Sequence, residues 1–289
     1  MTGALITIAL LVTLAGPIAF GAAGSFRGWR YWRLSALSAV AYALAFNIVF
    51  FIQELFLVLP KAASGLRPTL YHNNHRWEGD DPIAHLLPGT GALAILFLGC
   101  AFLAWLAFRR PRIALLRLLA IWIAFNGVYQ SVPQVVLGSV FARNDVGMAM
   151  AYLGLGVGAK ALAVLLALGV IVFVGMFLSK QMLGLAPAPE DISGAAARSR
   201  FMFNAAIAPA LAALPIIMLS RAPGSWDQVA LVPVAVTVIG AAWLQANAWR
   251  VSDEQASGAA APRGLAIAAA ALLTLIVVFH AVLRPGVQF

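Results

Sequence analysis

His72, His75 and Glu78 recur at intervals of three, and Asp80, Asp81 and His85 follow within seven residues. Imidazole and carboxylate groups at this density suit zinc or another divalent first-row metal. On a helical turn the spacing would place all three on one side, with Arg76 and Trp77 pointing elsewhere. The expected ligand set is His72, His75, Glu78, Asp81 and His85. Two other readings fit the same string. One is contact with a substrate or partner without metal. The other is a hydrated turn at Asn73-Asn74, with Trp77 anchored among lipid headgroups. No established zinc signature matches.

Glu54 stands six residues before Pro60, inside an apolar run. An ionisable group costs about 2.5 kcal/mol or more at the centre of a membrane helix and less near an interface. Glu54 should therefore face other helices and hold a partner. Asn47, seven residues earlier, shares its face. Lys160, in another apolar run at similar depth, is the expected ion-pair partner. In a metal-dependent hydrolase or transferase, Glu54 would act as general base or acid on a metal-bound water. In a transporter, Glu54 and Lys160 would relay protons.

Asn126, Gln130 and Gln134 recur at intervals of four and form one polar stripe. Interhelical hydrogen bonding is the favoured reading of that stripe, with a substrate path as the alternative. Asp145 follows Arg143-Asn144 and precedes a Gly154/Gly156/Gly158 series. Gly154 and Gly158 read as a small-residue packing pair, and a helix break there is the competing reading. With Trp77 and Lys160, these polar groups are the candidate substrate or partner contacts.

The elements that position them are legible from composition. The 289 residues are 63% hydrophobic and 10% charged, where soluble domains carry about 25% charged residues. Apolar runs of 18 or more residues recur, which is the mark of bilayer-spanning helices. About eight spans are expected, near 2–24, 34–60, 89–108, 113–138, 148–179, 201–220, 229–249 and 264–283. The fold class is therefore all-α: one polytopic membrane bundle over 1–289. Its polar groups fall in about 1–160, and 161–289 reads as packing helices. Cys100, the single cysteine, reads as packing.

The +9 net charge rests mostly on arginines in short loops. That pattern meets anionic headgroups and sets topology, and it lacks the contiguous basic stripe of a nucleic-acid binder. Odd-numbered loops carry eleven of these charges and even-numbered loops five. Odd loops are then cytoplasmic. Both termini and the polar segment 61–88 face the periplasm or exterior of a bacterial inner membrane. The partners implied are the bilayer and a membrane protein or larger complex.

The chain also resembles the site-2-protease-like class of membrane proteins over about residues 40–160. Gln53-Glu54-Leu55-Phe56-Leu57 stands where that class has His-Glu-x-x-His. Pro88-Gly89-Thr90-Gly91 opens the next helix, and Asp145-Val146-Gly147 stands where the class has its Asp-containing motif. Both motif histidines are absent, so the family's zinc cannot bind there. The resemblance implies the scaffold and carries over Glu54 and Asp145 alone. Together the residues favour a non-peptidase protein that binds a ligand or partner at an outer polar site. A metalloenzyme built on His72 and His75 and a proton-coupled transporter are the alternatives.

Overall fold

The computed structural model describes residues 31–109, 111–251 and 263–289, together with Ala22 and Ala256. The expected first span, 2–24, lies outside the described residues except for Ala22. Seven described helices are long and apolar enough to cross a membrane: α1 (Trp32–Ala63), α2 (Gly89–Phe108), α3 (Ala114–Val140), α5 (Val157–Leu183), α6 (Ala195–Arg221), α7 (Asp227–Ala248) and α8 (Leu265–Leu283). A short α4 (Asp145–Tyr152) precedes α5. Successive long helices run in alternating directions, so one end of the bundle collects the C-terminal ends of α1, α3, α6 and α8.

The core sits around α3. Trp122 makes edge contacts with Tyr42 of α1 and with Phe125, at ring separations of 4.8 and 5.3 Å. Its indole N–H donates to Ser38 Oγ at 3.1 Å. The Tyr42 hydroxyl meets Thr237 Oγ1 of α7 at 2.6 Å. Ser220 of α6 donates to Asn47 Oδ1 of α1 at 2.7 Å. Buried polar groups thus find partners across helices, as a water-poor interior requires. The outward faces are apolar: Phe97, Leu165, Phe173 and Ile267 are each about two-thirds exposed or more.

Two glycines set the closest helix pair. A Cβ on Gly127 of α3 would lie 2.6 Å from Ile95 O and 2.7 Å from Gly99 Cα of α2. Only hydrogen fits there, so the backbones touch.

Helix α1 does not stop at Pro60 as the proline predicts. It continues to Ala63. Proline lacks an N–H and frees the carbonyl four residues back. That oxygen, on Phe56, lies 2.5 Å from Thr90 Oγ1 in the first turn of α2, so the defect is repaired from outside. Lys61 consequently sits in the last helical turn, fully buried, where the helix dipole favours a cation.

The segment 61–88 is not a loop. Strands β1 (Arg67–Leu70) and β2 (His75–Glu78) form an antiparallel hairpin with Leu70 opposite His75 and Arg67 opposite Glu78. The far edge of β1 pairs with β3 (Val287–Gln288) after α8. The fold is therefore helical with a three-stranded cap, and not wholly α. The C-terminal strand lies at the same end of the bundle as 61–88.

Three further expectations change. The Gly-rich stretch is a break: α4 ends at Tyr152 and α5 starts at Val157, with Gly154 at φ +61°. Nothing lies within 4 Å of a Cβ built on Gly154 or Gly158, so they pack no described helix. The stripe on α3 bonds within its own helix: Asn126 donates to Trp122 O, Gln130 to Asn126 Oδ1 and Gln134 to Gln130 O, at 2.8–3.0 Å. Each amide reaches back one turn, leaving little for a neighbouring helix. Cys100 is exposed on the outside of α2.

Candidate functional site

The sheet cap is pinned to α1 by one imidazole. His75 Nδ1 lies 2.9 Å from Glu54 Oε2 and His75 Nε2 lies 2.8 Å from Lys61 Nζ. A carboxylate only accepts and an ammonium only donates. The arrangement therefore assigns the Nδ1–H tautomer, with Nδ1–H donating to Glu54 and Lys61 donating to Nε2. Trp77, two residues along β2 and so on the same face, stacks on His75 at 5.8 Å. The Lys61 ammonium sits 4.1 Å over the Trp77 ring, a cation–π contact. Glu54 and Lys61 are seven residues apart, two helical turns, so one face of α1 presents both charges.

Two more charges surround this group. Asp145, half-buried at the start of α4, feels Glu54, His75 and Lys61. Burial pushes its carboxyl above the ordinary range and repulsion from Glu54 adds to that, against the pull of His75 and Lys61. Arg221, buried at the end of α6, donates through Nε to Gln228 O at 2.7 Å and lies over the Phe50 ring at 3.7 Å. Glu54 is the charge acting on it. Glu54, His75 and Asp145 do come together, with Lys61 and Arg221 as cations the sequence reading passed over.

His72 goes elsewhere. It is 5% exposed, and its ring lies 5.5 Å from that of His280 on α8. Neither ring nitrogen has a hydrogen-bond partner among the described residues. The carbonyls of Ala222 and Arg221 face the ring, and they also accept from His280 Nε2 and Asn73 Nδ2. Asn73 donates again to Pro223 O at 2.6 Å, tying the hairpin tip to the turn after α6. A Cβ on Gly224 would lie 2.5 Å from Asn73 Nδ2, so glycine is required at that contact. Beside it opens a cleft of about 310 Å³, lined by Tyr71, His72, Asn74, Arg76, Pro223 and Arg284, with Asn73.

The expected metal set is dispersed. A strand alternates faces every residue, so Glu78 and Arg76 point outward while His75 and Trp77 point in. Asp81 is exposed and accepts from Ile83 N, capping a 3-10 turn. His85 is exposed at the end of that turn. Both nitrogens of His75 are taken, and His72 faces the other way. Among the described residues no group of three or more His, Cys, Asp or Glu side chains could hold a metal ion. The zinc expectation fails on the donor set. Lys160 is half-buried near the start of α5, and no described contact joins it to Glu54. The partner of Glu54 is His75.

His72 gives the site a pH response. Burial holds its pKa below the ordinary histidine value, His280 and Arg284 add to the effect, and the Ala222 and Arg221 carbonyls oppose it. The unfolded chain then binds the proton first as pH falls below about 6.5, so stability declines on acidification through that window. Melting in detergent should show Tm falling from about pH 7.5 to about 5.5. His72→Gln should flatten that fall, and an unchanged slope would place the titration on another group.

What these features define is a helical bundle with a sheet cap locked over one end and a cationic cleft beside the lock. No family model, curated protein or solved structure matches the chain.

Proposed function

We propose that this chain is a multi-pass protein of a bacterial inner membrane that binds a ligand or membrane partner at its capped, non-cytosolic face. The observation that carries this reading is the fixed cap: three ionisable side chains, at most 11% exposed, pin a sheet that borders a polar cleft. Burying such groups costs several kcal/mol per ion, which pairing offsets. Apolar outward faces support insertion. The bias of Arg and Lys toward the odd-numbered loops supports the orientation.

On the proposed site-2-protease-like scaffold, the two carried-over residues would be Glu54 and Asp145, which interact here beside His75 and Lys61. The donor set does not support peptidase chemistry. Both His75 nitrogens are engaged, and among the described residues no nucleophile is bonded to it. A second reading, proton-coupled transport, is favoured by the continuous Glu54–His75–Lys61 hydrogen-bonded series. It predicts proton flux in proteoliposomes that Glu54→Gln abolishes.

Labelling tests the main reading. In a Cys100→Ala background, Glu78→Cys on the exposed strand face should react with an impermeant maleimide in intact spheroplasts. Reaction only in inverted vesicles, or extraction of the protein by alkali, would contradict it. Metal analysis of protein purified without chelator separates the enzyme alternative: one bound zinc per chain, lost in His75→Ala, would favour the metalloenzyme.

A further inference from the structure

The cleft beside the hairpin has a composition that the charge lock does not explain. It is lined by two guanidiniums, Arg76 and Arg284, and by the His72 imidazole, with no carboxylate among its lining residues. Arg76 and Arg284 are exposed at its rim, and His72 is buried at its base. Among the described residues neither arginine forms an ion pair. Arg76 lies 5.9 Å from the Tyr71 ring, its one described ring contact. Glu54 and Asp145 are engaged with His75 and Lys61, and the exposed acids of the cap, Glu78, Asp80 and Asp81, do not line the cleft.

A buried imidazole with both nitrogens unpartnered is costly, by about 1–3 kcal/mol for each unsatisfied group. Native structures rarely leave such groups idle. Here the unpaired ring borders an open cavity that two like charges also face. Arg76 and Arg284 bring two positive charges to one cleft, which favours an anion there. We infer that this cleft binds a phosphate-bearing anion, with Arg76 and Arg284 at its rim and His72 at its base.

Phosphate fits better than a simple carboxylate. A phosphate presents enough acceptor oxygens to meet both guanidiniums at once, and guanidinium pairs with it through two parallel hydrogen bonds. The size agrees: about 310 Å³ stands at the small end of ligand pockets and accepts a phosphate with a small organic substituent. Two sources supply that chemistry. One is a soluble phosphate or phosphomonoester. The other is the headgroup of an anionic phospholipid, which basic pockets at helix ends hold. Val282, two residues before Arg284, and Phe289 are about half exposed and would flank an acyl chain.

The inference rests on the proposed binding role of this face, but its test is independent of which side of a membrane the face occupies. Purified full-length protein in neutral detergent is titrated with inorganic phosphate and glycerol 3-phosphate, against chloride at equal ionic strength. Separately, protein in phosphatidylcholine nanodiscs is compared with protein in discs containing phosphatidylglycerol. Wild type should bind at least one phosphate probe, and Arg76→Gln with Arg284→Gln should weaken binding at least about tenfold, a loss expected for charge-assisted pairs. Both positions are exposed, so the apo Tm should not move, and each single variant serves if the pair does not fold. Binding of the soluble probes identifies a free phosphate ligand. Enrichment of phosphatidylglycerol alone identifies a headgroup. Binding no tighter than chloride and neutral lipid, or binding undiminished in the double variant, overturns the inference. Outside labelling of Glu78→Cys with no phosphate binding would leave the proposed face standing and remove this ligand. The reverse outcome would do the opposite.

Discussion

Removing the His75 imidazole should release the sheet cap, and His75→Ala is expected to cost about 3 kcal/mol or more, since it removes two hydrogen bonds to charged groups worth about 1.5–3 kcal/mol each. The substitution leaves the Glu54 carboxylate and the Lys61 ammonium facing a void. Glu54 is 8% exposed and Lys61 fully buried, so water does little to compensate either. The imidazole is the only described group bonded to both. Trp77 loses its stacking partner in the same step. Denaturation in mixed micelles measures the loss. A second arm isolates the charges. Glu54→Leu and Lys61→Met each strand one charge, whereas the double variant strands none and fills the space with apolar groups. The double should cost less than the sum by more than about 1 kcal/mol, the coupling expected of residues in one network. Strict additivity would mean that the three groups do not act as a unit.

The second large effect concerns packing far from the site. Gly127→Val should destabilise by about 3 kcal/mol, at the upper end for overpacking. The first added carbon already meets Ile95 O at 2.6 Å and Gly99 Cα at 2.7 Å. These are backbone atoms, so no rotamer change relieves the clash and α2 must move away from α3. Because α2 starts at the end of the 61–88 cap, its displacement also strains the Thr90 contact to Phe56 O. The expected readout is a lowered denaturation midpoint, together with faster proteolysis between Pro82 and Gly89. A Gly127→Val midpoint equal to wild type would mean the two backbones are not in contact.

Much of the fold is readable from the chain because membrane-length apolar runs carry a strong signal over some twenty residues. The seven described spans fall where those runs lie. Short-range signals served less well. The spacing of His72, His75 and Glu78 matches a helical turn, yet His75–Glu78 is a strand, and three polar residues cannot separate the two periods. Pro60 argued for a helix end, but the carbonyl it freed found a hydroxyl thirty-four residues away. Glu54 is conspicuous through the cost of its charge. Lys61 is not, because it follows Pro60, where a helix is expected to end. The seven-residue step linking Asn47, Glu54 and Lys61 was the available clue. Nothing local marks His280, Arg284 or Gly224 as neighbours of the hairpin. They arrive through α6, α8 and the pairing of β3 with β1, contacts more than 140 residues apart in sequence.

The central claim is that His75 is held between Glu54 and Lys61 and thereby fixes the cap. Nitrogen-15 NMR of selectively histidine-labelled protein in micelles reads this directly. The expected spectrum shows one ring with a single Nδ1–H tautomer, slow solvent exchange, and loss of that signal pattern in both Glu54→Gln and Lys61→Met. A His75 ring showing the rapidly averaged tautomer mixture of a free imidazole, unchanged by either substitution, would contradict it.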